Sequence, residues 1–297
     1  MPTRFSSSSA ATCLALAFVF ELSFTGPPAS QISNARTRRE TASPHVLPLE
    51  IPRGTLIAVR GAIGELSDLR LLVDTGAFRT VIDRRIAAEL GLRGTASRME
   101  IFGQHLPAER VSLPPLRLGP IQADGVSALT ADLTELGSRL GWQPDAIVGL
   151  DVLRGQCFSV DYRARRLTFA CTTAWSWQVT CEPQSQLVIV TVIINGRNHR
   201  LLVDTGSDAV AVFARAAAHL AGDEDGRVRA DTLAGSVELR RIIARTIEMG
   251  GMLRRGHPIF VLPTADQDLG YDGVLGTGWL GARIQLDLNR MVVSWSE

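Results

Sequence analysis

The 297-residue chain has almost no net charge, no lysine, and no apolar run long enough to span a membrane. A formal charge of +1 gives no overall field to draw in nucleic acid or anionic lipid. Because lysine is absent, all 31 basic residues are arginine, a bias of genomic base composition. Histidine is sparse and scattered, at His45, His105, His199, His219 and His257. No Ser/His/Asp order and no histidine pair emerges from those positions. None lies at ligand spacing from a cysteine, so a metal site is not expected. What remains is an ordinary globular mix, 45% hydrophobic and 21% charged, long enough for two modest domains with real cores.

The longest apolar run, residues 10–20, follows Arg4 and ends at Glu21. Its length suits the core of a signal peptide and is too short for a membrane helix. Residues 1–25 are therefore expected to be a signal peptide, with a retained N-terminal anchor as the alternative. Residues 26–54, rich in Pro, Ser, Thr and Arg, are expected to form a flexible tether. The expected location is outside the cytoplasm, periplasmic or secreted. Beyond the leader lie Cys157, Cys171 and Cys181, and three cysteines permit three pairings. Cys157 and Cys171 would face each other across a hairpin, and Cys171 with Cys181 would close the segment between two halves.

The most informative feature is a repeat. Arg70-Leu71-Leu72-Val73-Asp74-Thr75-Gly76 recurs unchanged as Arg200-Leu201-Leu202-Val203-Asp204-Thr205-Gly206. A single Asp-Thr-Gly arises by chance in about one chain in ten of this length. Two copies with four identical residues upstream point to a duplication. Each copy drives a strand into a turn that presents one carboxylate.

The surrounding chain repeats as well. Leu56–Arg60 and Leu187–Val192 are β-branched runs of strand length that open each half. After each Asp-Thr-Gly comes a short apolar run and then a helix. In the first half Asp83 caps Arg84–Leu90 with Gly91 as the stop, and in the second the helix is Ala214–Leu220. Hairpins follow, with Gly103 and Gly235 near their tips. Asp145-Ala146-Ile147-Val148-Gly149 then matches Asp272-Gly273-Val274-Leu275-Gly276. The expected organisation is a first lobe over 55–174, a linker over 175–186 and a second lobe over 187–297. Short strands with only one or two short helices per half indicate a mainly β fold.

This arrangement resembles aspartic proteases of the retropepsin-like group, particularly bacterial aspartyl proteases with both halves in one chain. The resemblance rests on Asp74-Thr75-Gly76-Ala77, Asp204-Thr205-Gly206-Ser207, and the apolar-apolar-Gly segments ending at Gly149 and Gly276. It implies a bilobal, pseudo-twofold fold of two β-barrel lobes whose two Asp-Thr-Gly turns meet at the axis. Asp74 and Asp204 would be catalytic, sharing a proton and activating a water for peptide-bond hydrolysis without metal or cofactor. Thr75 and Thr205 would hydrogen-bond across the axis. Gly76 and Gly206 would let the turns tighten, and Gly149 and Gly276 would pack behind them. Gly103 and Gly235 would mark flaps over a cleft for a peptide or protein substrate. Neither candidate flap holds a tyrosine, which places the chain nearer retropepsins than pepsins.

A hydroxyl at Ser207, where the first half has Ala77, would favour the charged form of Asp204 and make it the ionised partner. A chain holding both halves would be competent as a monomer. The alternative is a retropepsin-like module that binds peptides or partners without cutting them.

Overall fold

The computed structural model describes residues 20–21, 36–39, 44–101, 104–182, 185–220, 223–262 and 269–297. It is a mainly β, bilobal protein. In the first half, Leu66–Val73 is a central strand. Ala146–Val148 pairs with it in parallel, Val148 opposite Val73, and pairs antiparallel with Val81–Asp83 on its other side. Residues Leu71, Leu72 and Val73 are buried in succession, as a strand covered on both faces requires. The second half builds the same weave from Arg197–Asp204, Gly273–Gly276 and Val210–Phe213. There, Ile189–Ile194 also pairs with Gly235–Met249, which closes six strands into a barrel.

The repeated arginine has a structural explanation. The Arg70 N–H donates to Asp145 Oδ2 at 2.7 Å, and the Asp145 N–H returns a bond to Arg70 O at 2.8 Å. Arg200 and Asp272 repeat this exchange at 2.9 Å and 2.7 Å. The side chains differ in use: Arg70 lies over Trp142, whereas Arg200 forms a two-pronged pair with Glu182. What the duplication preserves is the backbone exchange that locks the Gly149 and Gly276 segments against the central strands.

Four short helices complete the described chain. Helix α1 (Arg84–Glu89) is capped by Asp83, whose carboxylate accepts the Arg85 N–H. Helix α2 (Thr134–Leu140) ends at Gly141 in the left-handed region and has no counterpart among the described residues of the second half. Helix α3 (Leu150–Leu153) follows Gly149, and α4 (Ala214–Ala217) is shorter than the seven residues expected from its sequence.

The halves are joined by a shared six-stranded sheet. Cys157–Asp161 of the first half pairs antiparallel with Arg283–Asp287 of the second, Ser159 opposite Gln285. This sheet corrects two expectations. Residues 45–48, assigned to the tether, form a strand against Arg166–Phe169. Leu49 next to them is buried and Glu50 bridges Ala58, so apolar side chains and edge hydrogen bonds hold this segment to the first lobe. Arg36–Arg39 also pairs, with Ile121–Asp124. Likewise the 175–186 linker carries a strand, Trp177–Thr180, which pairs with Val292–Trp295 and stacks Trp177 on Trp295.

Of the leader, only Phe20–Glu21 is described, paired with Glu100 and Met99; the rest of residues 1–25 lies outside the described residues. Among the described residues no helix is long and apolar enough to cross a membrane. Of the three possible cysteine pairings, the hairpin one is formed: Cys157 is bonded to Cys171, and Cys181 is a buried free thiol.

Candidate active site

The two Asp-Thr-Gly turns meet between the lobes. Thr75 and Thr205 grip each other symmetrically. The Thr75 N–H donates to Thr205 Oγ1 at 3.0 Å, and the Thr205 N–H donates to Thr75 Oγ1 at 3.1 Å. Each hydroxyl then donates onward across the interface, Thr75 to Val203 O at 2.8 Å and Thr205 to Val73 O at 2.6 Å. All four groups are buried, where hydrogen bonding is directional and costly to leave unmade. The turns are thereby held at fixed separation.

That grip places Asp74 and Asp204 face to face, 2% and 0% exposed. The two carboxyls are close enough to titrate as a pair. Asp74 Oδ1 accepts the N–H groups of Gly76 at 2.8 Å and Ala77 at 3.2 Å. Asp204 Oδ1 accepts Gly206 N–H at 2.7 Å, but the Ser207 N–H turns to the Asp204 main-chain oxygen instead. Asp204 Oδ2 is buried and receives no N–H or hydroxyl donor.

This difference in donors distinguishes the two acids. Burial raises both carboxyls. Asp74, with the additional backbone donor, rises to about 6. Asp204 rises further, because burial is compounded by the charge of Asp74. The pair therefore holds a proton to higher pH than an exposed carboxyl would. Ser207 does not take the part expected of it. Its hydroxyl donates to Ala209 O at 3.3 Å and accepts Ala209 N–H at 3.4 Å, so it shapes the loop without touching the carboxylate.

Gly149 and Gly276 sit directly behind the turns. A Cβ on Gly149 would lie 2.7 Å from Ala77 O, and one on Gly276 would lie 2.4 Å from Ala209 N. In the first half a buried pair adds support: Thr80 Oγ1 donates to Asp151 at 2.7 Å and accepts the Gly149 N–H at 3.2 Å. Gly103 lies outside the described residues. Gly235 is described, but the turn of its hairpin is Leu233–Ala234. Gly235, with φ +115°, begins the returning strand opposite Thr232. The hairpin nevertheless reaches the site, since Leu233 lines the same apolar hollow as Asp74, Leu56, Leu72, Leu136 and Ile147.

The sequence profile of the aspartyl protease family matches residues 59–152 and again 190–282. The chain belongs to that family. The two matched stretches correspond to the two halves that supply one aspartate each. No curated protein matches the chain in sequence.

Some residues that shape this aspartyl protease site carry no signal in the sequence. Asp151 and Thr80 have no motif of their own. Asp208, four residues after Asp204, is largely buried and its carboxyl is pushed up to about 6 by that burial. It packs so closely on Gly54 that a Cβ there would lie 2.4 Å from Asp208 Oδ2. The signal that offered a lead was the duplication itself: Asp145 and Asp272 occupy matching places in the two copies. The cysteine cluster is no metal candidate, because both Cys157 and Cys171, which neighbour Asp287, are joined in the disulfide.

Proposed function

We propose that the protein is an aspartic endopeptidase that hydrolyses peptide bonds with Asp74 and Asp204. The observation that carries this reading is the pair of buried carboxyls, one from each half, brought together by the Thr75–Thr205 exchange. Proton sharing between two close carboxyls is the general chemistry of aspartic proteases as a class and is not peculiar to this chain. The ionised Asp74 takes a proton from a water held between the carboxyls. The protonated Asp204 donates to the carbonyl oxygen of the scissile bond as the water attacks its carbon. Thr75 and Thr205 hold the carboxyls at the separation this exchange requires.

Because one chain supplies both aspartates, a monomer is sufficient. The substrate is a peptide or an unfolded protein segment that lies across the cleft beneath the Leu233 hairpin. Export fits the Cys157–Cys171 disulfide, which persists in an oxidising compartment.

The test is cleavage of an unstructured protein between pH 3 and pH 8, with and without pepstatin. Wild type should cut and be blocked by pepstatin, while Asp74→Asn and Asp204→Asn should be inactive. Indistinguishable results from all three proteins would leave the chain a binding module instead.

A further inference from the structure

Behind each Asp-Thr-Gly turn the main chain is held by the residue that follows a support glycine. Leu150, after Gly149, donates its N–H to Ala77 O at 2.8 Å, and Thr277, after Gly276, donates its N–H to Ser207 O at 3.0 Å. Tyr162 and Leu288 form a second matching pair. Each sends its N–H to a main-chain oxygen of the opposite half, Tyr162 to Ala282 O at 3.0 Å and Leu288 to Gln156 O at 2.8 Å. The side chains break the twofold symmetry. Leu150 and Leu288 are buried in the main core and offer no hydrogen bond.

Tyr162 and Thr277 instead build a polar relay between the lobes. The Tyr162 hydroxyl lies 3.0 Å from Thr277 Oγ1 and 3.0 Å from Thr55 O. Thr277 Oγ1 lies 3.0 Å from Thr55 Oγ1 and 3.5 Å from Ser207 O. Burial raises the Tyr162 phenol, so its hydroxyl keeps its hydrogen throughout the neutral range. A Thr277 hydroxyl that accepts from Tyr162 must direct its own hydrogen to another acceptor. Among the described residues, those in reach are Thr55 Oγ1 and Ser207 O.

The relay stands where the donors of the two aspartates differ. Ala77, backed by a leucine, turns its N–H to Asp74 Oδ1 at 3.2 Å. Ser207, backed by the relay, turns its N–H to the Asp204 main-chain oxygen at 3.3 Å. We propose that Tyr162 is a positioning residue of the active site. Through Thr277 it holds the Ser207 main chain away from the Asp204 carboxyl, and so gives the two acids of the pair unequal sets of donors. The consequence for rate rests on the endopeptidase reading; the consequence for titration does not. Asp204 also faces Asp74 and senses Tyr271, whose phenol is raised by burial. Neither belongs to the relay, so variants of Tyr162 and Thr277 leave both in place.

The test uses the full chain with carbon-13 in its aspartate carboxyls. The pair is recognised by the signals lost in Asp74→Asn and Asp204→Asn. Tyr162→Phe keeps the ring and removes the relay's first donor, and Thr277→Val keeps the shape and removes its middle. In both, the freed Ser207 N–H should reach the Asp204 carboxylate, as Ala77 does in the first half. The upper titration step of the pair should then fall by about one pH unit, because a donor to the charged form favours ionisation. Thr277→Ser, which restores the hydroxyl, should titrate as wild type. The alkaline limb of kcat/KM on a cleaved peptide should move with the titration step. Lower melting temperatures for Tyr162→Phe and Thr277→Val with an unmoved upper step would overturn the inference, leaving the relay a plain lobe contact. If the step moves as stated while wild type cuts no peptide, the positioning role stands and the endopeptidase reading falls.

Discussion

Gly76 of the first turn lies against the carboxyl of Asp204 in the second: a Cβ on Gly76 would fall 2.5 Å from Asp204 Cγ. Gly206 repeats the relationship, its Cβ falling 2.6 Å from Asp74 Oδ2. Each glycine therefore makes room for the acid of the opposite half. The need is for space, because neither glycine has a positive φ. A methyl group at either position must push the carboxyls apart, and proton sharing depends steeply on their separation. Gly76→Ala and Gly206→Ala should each lower kcat at least about 100-fold, the scale expected when reacting groups are displaced by an ångström. Gly91→Ala, at a helix stop with open space around it, should lose some stability but keep most activity. Single-turnover rates for the three variants decide the point, and an active Gly76→Ala would show that the contact is not limiting.

Much of this site was legible because duplication writes the same constraint twice. The paired Asp-Thr-Gly turns, the Gly149 and Gly276 segments and the Asp83 cap of α1 all rest on local chemistry. The strands at His45–Pro48 and Trp177–Thr180 were not legible. Each is four residues long, and its partner lies more than 100 residues away, so nothing local distinguishes it from a tether. The use of the Ser207 hydroxyl was hidden for a related reason. Sequence shows a hydroxyl at Ser207, but the path of the backbone decides that the hydroxyl faces Ala209, and that the Ala77 N–H reaches the Asp74 carboxylate.

The cross-axis grip has a measurable energy. Replacing Thr75 with Ala removes the hydroxyl that serves both the Thr205 N–H and Val203 O. Two buried polar groups are left unmatched, at about 1–3 kcal/mol each. Thr75→Ala should therefore lose about 2–6 kcal/mol in urea denaturation, and Thr75→Ser, which restores the hydroxyl, should recover most of it. A small loss in the alanine variant would mean that the turns are held by something other than this exchange.

The acidic limb of kcat/KM belongs to the free enzyme and follows protonation of the base. With Asp74 as the base and its carboxyl raised to about 6, activity should decline as pH falls through that region, giving an optimum only weakly acid. The measured constants will be those of the pair. Ser207→Ala should leave this limb in place, since the hydroxyl bonds to Ala209. A limb displaced upward in Ser207→Ala would restore Asp204 as the ionised partner.

The same carboxyls destabilise the fold at neutral pH, and the sign follows from linkage. Both have folded-state values above the ordinary 3.8, so between that value and the folded values the native state binds more protons than the unfolded chain. Stability then falls as pH rises through this window, because the buried pair resists ionisation that the unfolded chain undergoes freely. Asp204→Asn keeps the shape, removes one titrating group and gives Asp74 an amide donor in place of a second acid. Its Tm should be close to that of wild type near pH 4, where both carboxyls of the wild type are largely protonated. By pH 8 the variant should be the more stable protein, with the gap widening steadily between. Parallel melting curves that never diverge would show that the pair is solvated well enough to ionise in the folded state. They would remove the low-dielectric setting on which the proton-sharing mechanism depends.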